Sequence, residues 1–406
     1  MRTIAKSIIA TSLVASALCA EGSITAVKVG NDVKPAMLAT TDKLWDTAKA
    51  TDVALYPQTT IRLNDKKANA ANAKDKGKIA KVSALYNDKC VAFKIVWADG
   101  TESIQAGLES DEYPDGFAVQ IATKFDDPKK LPYIGMGSDG RPVLVHLNKA
   151  VAEHFEPNGN KDVSLQVNRH QTNAFAEDLS AFDKKVVDVA ETSYKRSFIS
   201  EGFRSMTEIK DGSSKFNMAM DYNKDSKSWS GTMGRHLKDE NIDLSAAGAI
   251  PVAFAVWDGE KMGRDGLKHL STWIAVDFEG KEGNEALVAE LTAAPKGNAE
   301  AGKPNVEAMC ASCHTLNAEK VATPFMAPDL SNIGGYSTAA YLAESITDPS
   351  AVVVPGYNRN AHKNFAWYNV DDKGIRASTM PPMMTDEAMI NDAVAYLMTL
   401  KAEVTK

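Results

Sequence analysis

The sequence predicts a multidomain protein in which a mainly antiparallel β-sandwich is followed by a smaller, all-helical unit. Three observations carry this. Between about residues 82 and 256, short apolar runs alternate with polar residues at period two, separated by clusters of Asp, Gly, Asn and Lys. Around Ala294-Pro295-Lys296-Gly297-Asn298 the composition turns small and polar. Beyond that point the apolar spacing becomes helical.

Taken in chain order, MRTIAKSIIATSLVASALCA has a basic start at Arg2 and Lys6, an uncharged run over 7–18 and small residues at Cys19 and Ala20. This pattern reads as a secretory signal peptide over 1–20, since a membrane anchor needs roughly 20 predominantly apolar residues and this run is shorter and rich in Ser and Thr. A lipoprotein signal at Cys19 is disfavoured because Leu18 stands where a small residue is wanted. No later segment is apolar for long enough to span a bilayer, so the mature protein is expected to be soluble in the periplasm.

The whole chain of 406 residues carries a formal charge of -7, and losing Arg2 and Lys6 with the leader takes it to -9. An acidic surface argues against nucleic acid or anionic membranes as partners and suits a basic patch on a redox partner. With 44% hydrophobic residues the chain can form two cores.

The sandwich is placed at 21–294. In VAFKIVW, Phe93, Ile95 and Trp97 alternate with Ala92, Lys94 and Val96 after a turn at Asn87-Asp88; FAVQIA, FNMAMDY and PVAFAVW are similar runs. Helix is confined to insertions such as AEDLSAFDKKVVDVAETSY over 176–194.

The helical domain is placed at 295–406. Cleavage of the leader leaves Cys90, Cys310 and Cys313, too few for a four-cysteine iron–sulfur cluster. Cys90 reads as a small core residue in a strand. The string CASCH is the C-x-x-C-H haem attachment pattern: Cys310 and Cys313 form thioethers to the porphyrin and His314 reaches the iron from the same turn. A redox dithiol or half a zinc site is the alternative, but no second cysteine pair is present.

Downstream, ASTMPPMMTDEAMINDAVAYLMTL supplies methionines for the far side of that iron. Thr385 is expected to cap a helix with Asp386 and Glu387 in its first turn and Ile390, Ala393, Val394, Leu397 and Leu400 on one face, which leaves Met389 and Met398 as packing residues. Among Met380, Met383 and Met384, Met380 is favoured because it stands directly before Pro-Pro.

Residues 297–400 resemble a class I cytochrome c, with GNAEAGK, CASCH, APDLSNIGG, SITDPSAVVVPGY and the final MP and AYL segments in family order. The resemblance implies that the carbonyl of Pro328 accepts a hydrogen bond from the second nitrogen of His314.

The strings LWDTAKATDVALYPQ, AKVSALYNDKCVAFKIVWADGTES, YPDGFAVQIA, LPYIGMGSDGRPVLVHLNKA, SWSGTMGRHL and GLKHLSTW, over residues 45–273, resemble the haem-binding γ subunit of ethylbenzene dehydrogenase and its dimethylsulfide dehydrogenase, selenate reductase and chlorate reductase relatives. That resemblance implies one non-covalent haem b held between Met136 and Lys268, and a partner enzyme of the dimethyl sulfoxide reductase molybdenum family. This chain differs from those γ subunits in carrying a cytochrome c domain as well.

Were GLKHLSTWIAVDF one strand, Lys268 would lie in phase with Leu270, Thr272, Ile274, Val276 and Phe278 on an apolar face, with His269 on the other. A buried ammonium is costly unless paired, and coordination through a neutral amine removes the cost. His146, His154, His170, His236 and His362 are expected to be surface or structural residues.

The expected protein therefore moves electrons between a molybdenum oxidoreductase, or another periplasmic redox protein, and a periplasmic donor or acceptor, and is not itself an enzyme. A haem-based sensor with an open coordination site is one alternative. A peroxidase is another, weakened by the single CXXCH.

Overall fold

The structure, a computed structural model, describes residues 22–104, 113–151, 194–203, 205–209 and 216–405. Residues 176–193 of the expected helix, together with His154, His170 and the leader, lie outside the described residues, while Tyr194 opens a strand.

The N-terminal unit contains β1 (Ile24–Lys28), β2 (Thr51–Pro57), α1 (Lys66–Lys74), β3 (Gly77–Tyr86), β4 (Cys90–Ala98), β5 (Gly116–Ala122), β6 (Val143–Lys149), β7 (Tyr194–Ser200) and β8 (Thr207–Ile209). It continues with β9 (Phe216–Asn223), β10 (Ser228–His236), β11 (Ala249–Trp257), β12 (His269–Leu270), β13 (Ile274–Phe278) and α2 (Glu285–Thr292). The hydrogen-bonded order is β8-β7-β6-β5-β11-β12-β2-β3-β4-β10-β9.

Two strands divide an edge between partners, and this folds the sheet over on itself. β11 pairs with β13 through Ala249–Val252 and with β12 through Ala255–Val256. β3 pairs with β2 near its start and with β1 near its end. Two layers thus face each other, bridged at one end by β12 and β2 and at the other by β13 and β1. The long ladders are antiparallel, and among the described residues parallel pairing is confined to β1 and a short C-terminal strand.

Phe93, Ile95, Trp97, Phe117, Val119, Ile121, Val252 and Phe254 fill the space between the layers. The β3–β4 hairpin turns where Asn87 accepts the backbone N–H groups of Lys89 and Cys90 on its side-chain oxygen. Cys90, the first residue of β4, is buried. His146 is enclosed between the layers. The Arg235 guanidinium can only donate to its Nε2, so Nδ1 carries the proton shared with Ser197, and Asp239 closes the network on Arg235 at 2.6 Å.

The C-terminal unit contains α3 (Ala299–Met309), α4 (Ile333–Tyr336), α5 (Ala339–Thr347), a hairpin of β14 (Tyr368–Val370) and β15 (Arg376–Ser378), and α6 (Glu387–Leu397). Asn298 caps α3 by accepting from Glu300 and Ala301. α6 is capped by Asp386, whose carboxylate accepts from Met389 N–H, and not by Thr385. Both residues are good caps, and the one whose oxygen reaches the free N–H decides the boundary. Where α3 crosses α6, a Cβ on Gly302 would lie 1.9 Å from the carbonyl oxygen of Asp392, so glycine is what permits the close approach.

The units share one apolar cluster. Tyr56, Ile61, Leu131 and Tyr133 of the first pack with Tyr336, Tyr357, Leu400 and other residues of the second. Arg141 makes a bidentate pair with Glu344 at 2.8 and 2.7 Å across the same boundary. After α6 the chain returns as β16 (Val404–Thr405), which pairs in parallel with Gly77 and Lys78 of β3.

Candidate functional site

CASCH forms a tight turn at the end of α3. Cys310 N–H donates to Val306, and the amides of Cys313 and His314 both return to the Cys310 carbonyl at 3.1 and 2.9 Å. Both thiols are free; Cys310 is buried and Cys313 half-buried. Burial, and then the neighbouring Cys313, push the Cys310 thiol up to about 11.

The Nδ1 atom of His314 lies 2.7 Å from the carbonyl oxygen of Pro328. A carbonyl can only accept, so Nδ1 carries the proton and Nε2 presents a lone pair to a metal. Burial holds the imidazole below its ordinary value and so neutral. Two free thiols and an oriented, neutral imidazole in one turn fit a covalently attached haem.

Met380 follows β15 and is partly buried; its N–H donates to Ser378 Oγ, and the preceding Thr379 is tied to the backbone of Ala366 and Trp367. Met384 is 3% exposed and belongs to the shared core, with Met383 packed against it.

The second site grows from the outward faces of β5, β6 and β11. On β5, Phe117, Val119 and Ile121 point between the layers, which leaves Ala118 and Gln120 on the opposite face; Ala253 and Ala255 do the same on β11. The three alanines, with Gln120 beside them, line a cavity of about 420 Å³, within the roughly 300–1,000 Å³ range of cofactor pockets.

Met136 and Lys268 both line this cavity. Met136 adopts φ +78, a left-handed backbone that a methionine takes only where the surroundings impose it. The carbonyl of Met136 accepts from Gly202 N–H at 2.9 Å, and Gln120 grips the preceding Ile134 carbonyl at 2.9 Å.

Lys268 is 6% exposed. Its Nζ donates to Gln58 Oε1 at 2.8 Å and lies 5.7 Å from the Trp257 ring centre. Burial lowers its pKa to about 8, against a smaller opposing effect of Asp265. A buried amine whose charged form is disfavoured and a methionine lining the same cavity offer a nitrogen donor and a soft sulfur donor, a set that suits iron. Lys149 and Arg264, both half-buried, add positive charge to the walls and could face the carboxylates of a porphyrin.

The expected phase of Lys268 needs correction. Ser271 to Trp273 interrupt the strand, with the Ser271 amide and hydroxyl both bonded to Phe254. Lys268 therefore shares its face with Leu270, whereas Ile274, Val276 and Phe278 point between the layers. His269 does turn away from the cavity, with Nε2 at 3.0 Å from the Lys76 carbonyl.

Gln58, Gln120 and Lys149 lie within the strings that carry the family resemblance and Arg264 between them, but no spacing marks any of the four as part of one site. A further buried cluster, Asp99, Asp115 and Asp258, brings carboxylate oxygens within 4.8 Å of one another. Asp115 is satisfied by Ser103 and Gly259 amides and the Trp229 indole, and Asp258 by Lys78 at 2.8 Å. Asp99 is pushed up to about 7, chiefly by burial and then by Asp258 and Asp115.

Among the described residues, no helix is long and apolar enough to cross a membrane. No curated protein matches the chain. Two solved structures of a carbohydrate binding module family 9 from Caldicellulosiruptor kristjanssonii, in complex with cellotriose and with glucose, are 8% and 9% identical; they cover 64% of this chain and 96% and 97% of theirs, with TM-scores of 0.28 and 0.29. The cytochrome c model matches residues 299–401 and the ethylbenzene dehydrogenase model matches residues 42–269. The chain is thus a member of the ethylbenzene dehydrogenase family that also carries a cytochrome c domain, a pairing that supports a haem-containing electron-transfer protein.

Proposed function

We propose that this is an exported, periplasmic dihaem protein that passes single electrons between a dimethyl sulfoxide reductase family molybdoenzyme and a second redox protein, either as a subunit of the complex or as its partner. One observation carries the reading: Met136 and Lys268, 132 residues apart, line one cavity together with the three alanines. Cys310 and Cys313 would hold haem c, with His314 and Met380 as its axial ligands. Met136 and Lys268 would hold haem b.

Each haem, when bound, supplies a one-electron iron couple. The residues around it bind, orient and exclude water. Pro328 fixes the His314 ring, and burial in the cavity disfavours the charged form of the Lys268 amine, which eases its deprotonation to a metal ligand.

A pyridine haemochrome assay on the purified protein tests the reading. One haem b and one haem c per chain support it, and haem c alone overturns the second site. Carbon monoxide binding to the reduced protein would instead indicate an open coordination position and a sensor. Met380→Ala should disturb the c spectrum, whereas Met384→Ala should lower stability and leave the c ligation intact.

A further inference from the structure

β2 ends at Pro57, and the residues after it enter the boundary between the two candidate sites. Gln58 is fully buried and holds Lys268 twice: its N–H donates to the Lys268 carbonyl at 2.9 Å, and its Oε1 accepts from Lys268 Nζ at 2.8 Å. The next residue, Thr59, sends its hydroxyl to the Asp329 carbonyl at 3.2 Å and shares a further contact at 3.2 Å with Tyr336 Oη. Asp329 follows Pro328 directly, and the Pro328 carbonyl accepts from His314 Nδ1 at 2.7 Å. From the amine of Lys268 to the imidazole of His314 the path is therefore covalent except for three hydrogen bonds.

We propose that Gln58 and Thr59 form a bridge joining the two iron sites, in which Gln58 is a positioning residue for Lys268 and Thr59 links it to the backbone that orients His314. The proposal rests on the two-haem reading above. A neutral amine bound to a metal keeps N–H groups, and the Gln58 carbonyl takes one of them, which selects the rotamer and strengthens the amine as a donor. Pro328 acts in the same way on His314, so each ligand is oriented by an acceptor on the same connected path. The transfer the bridge serves oxidises one ferrous iron to ferric and reduces the other from ferric to ferrous, with no bond formed or broken and no proton moved.

The alternative is that Gln58 and Thr59 only satisfy buried polar groups at a domain boundary. Full-length holoprotein separates the two. Gln58→Met keeps the shape and removes the acceptor; the expected result is haem b affinity about 10–100-fold weaker, a shifted b midpoint potential and an altered low-temperature EPR signature, with haem c unchanged. Thr59→Val should keep both haems and both midpoints yet slow inter-haem equilibration after flash photolysis several-fold, and Thr59→Ser should restore it.

A Gln58→Met protein with unchanged affinity, midpoint and EPR signature, or a Thr59→Val protein with an unchanged rate, overturns the proposal while leaving the two-haem reading in place. A wild type that lacks haem b overturns both.

Discussion

Replacing Lys268 with methionine should stabilise the haem b-free protein at neutral pH even as it abolishes the proposed b site. The buried amine has a pKa of about 8 instead of 10.5. Because the folded value lies below the unfolded one, the folded chain holds fewer protons between those values, and stability rises with pH across that window; the full penalty applies below about pH 8 and is gone above about 10.5. At about 1.4 kcal/mol per pH unit the penalty is on the order of 3 kcal/mol. Methionine removes it but leaves Gln58 Oε1 without its partner, which costs about 1–3 kcal/mol. Lys268→Met should therefore gain about 0–2 kcal/mol at pH 7 and lose about 1–3 kcal/mol at pH 10.5. Denaturant titrations of haem b-depleted wild type and variant at the two pH values measure this, with a haemochrome assay on the reconstituted protein. An equal stability difference at both pH values would refute the argument.

Three further outcomes are expected. Asp99→Asn should stabilise progressively as pH rises: the raised acid contributes stability that is fully present below about pH 4 and falls away as pH approaches 7, so the advantage of Asn grows across that window to on the order of 4 kcal/mol; thermal melts between pH 4 and 8 that differ by a constant amount would contradict it. Arg141→Ala and Glu344→Ala should each cost about 2 kcal/mol, because either leaves a largely desolvated charge unpaired, and a double-mutant cycle should show that they are coupled. Gly302→Ala should cost about 2–3 kcal/mol by forcing α3 off α6, read as earlier melting of the c-haem absorbance, with strands monitored separately by circular dichroism.

What the sequence made legible follows from how locally each feature is encoded. CASCH is readable because thioether attachment and iron ligation require neighbours on one turn. β4 is readable because its Phe93, Ile95 and Trp97 face the core while the intervening Lys94 and Val96 are less enclosed. β5 and β11 are covered on both faces, so alternation vanishes, and only the contrast between Phe117, Val119 and Ile121 on one side and Ala118 on the other marks where a flat ligand could lie. Met136 and Lys268 were reached through the family resemblance, because nothing periodic links a loop to a residue 132 positions away. Lys268 lies on an apolar face with Leu270 but not in one continuous alternation with Ile274, since the irregular Ser271–Trp273 segment resets the phase. Gln58 closes a string of the family resemblance, yet nothing local ties it to an amine 210 residues away.

The return of β16 to β3 changes what kind of fusion this is. The haem c domain leaves the sandwich after α2 and rejoins it at Val404, so it is an insertion held at both stems and not a bead on a tether. Swinging away to meet a distant partner would require breaking the ladder at Gly77 and Lys78 together with the Arg141–Glu344 pair. On the proposed two-haem reading, electron exchange would be brought to a fixed pair of sites by the partner's approach, and the geometry between the sites would be an inherited property of the fold, insensitive to linker length.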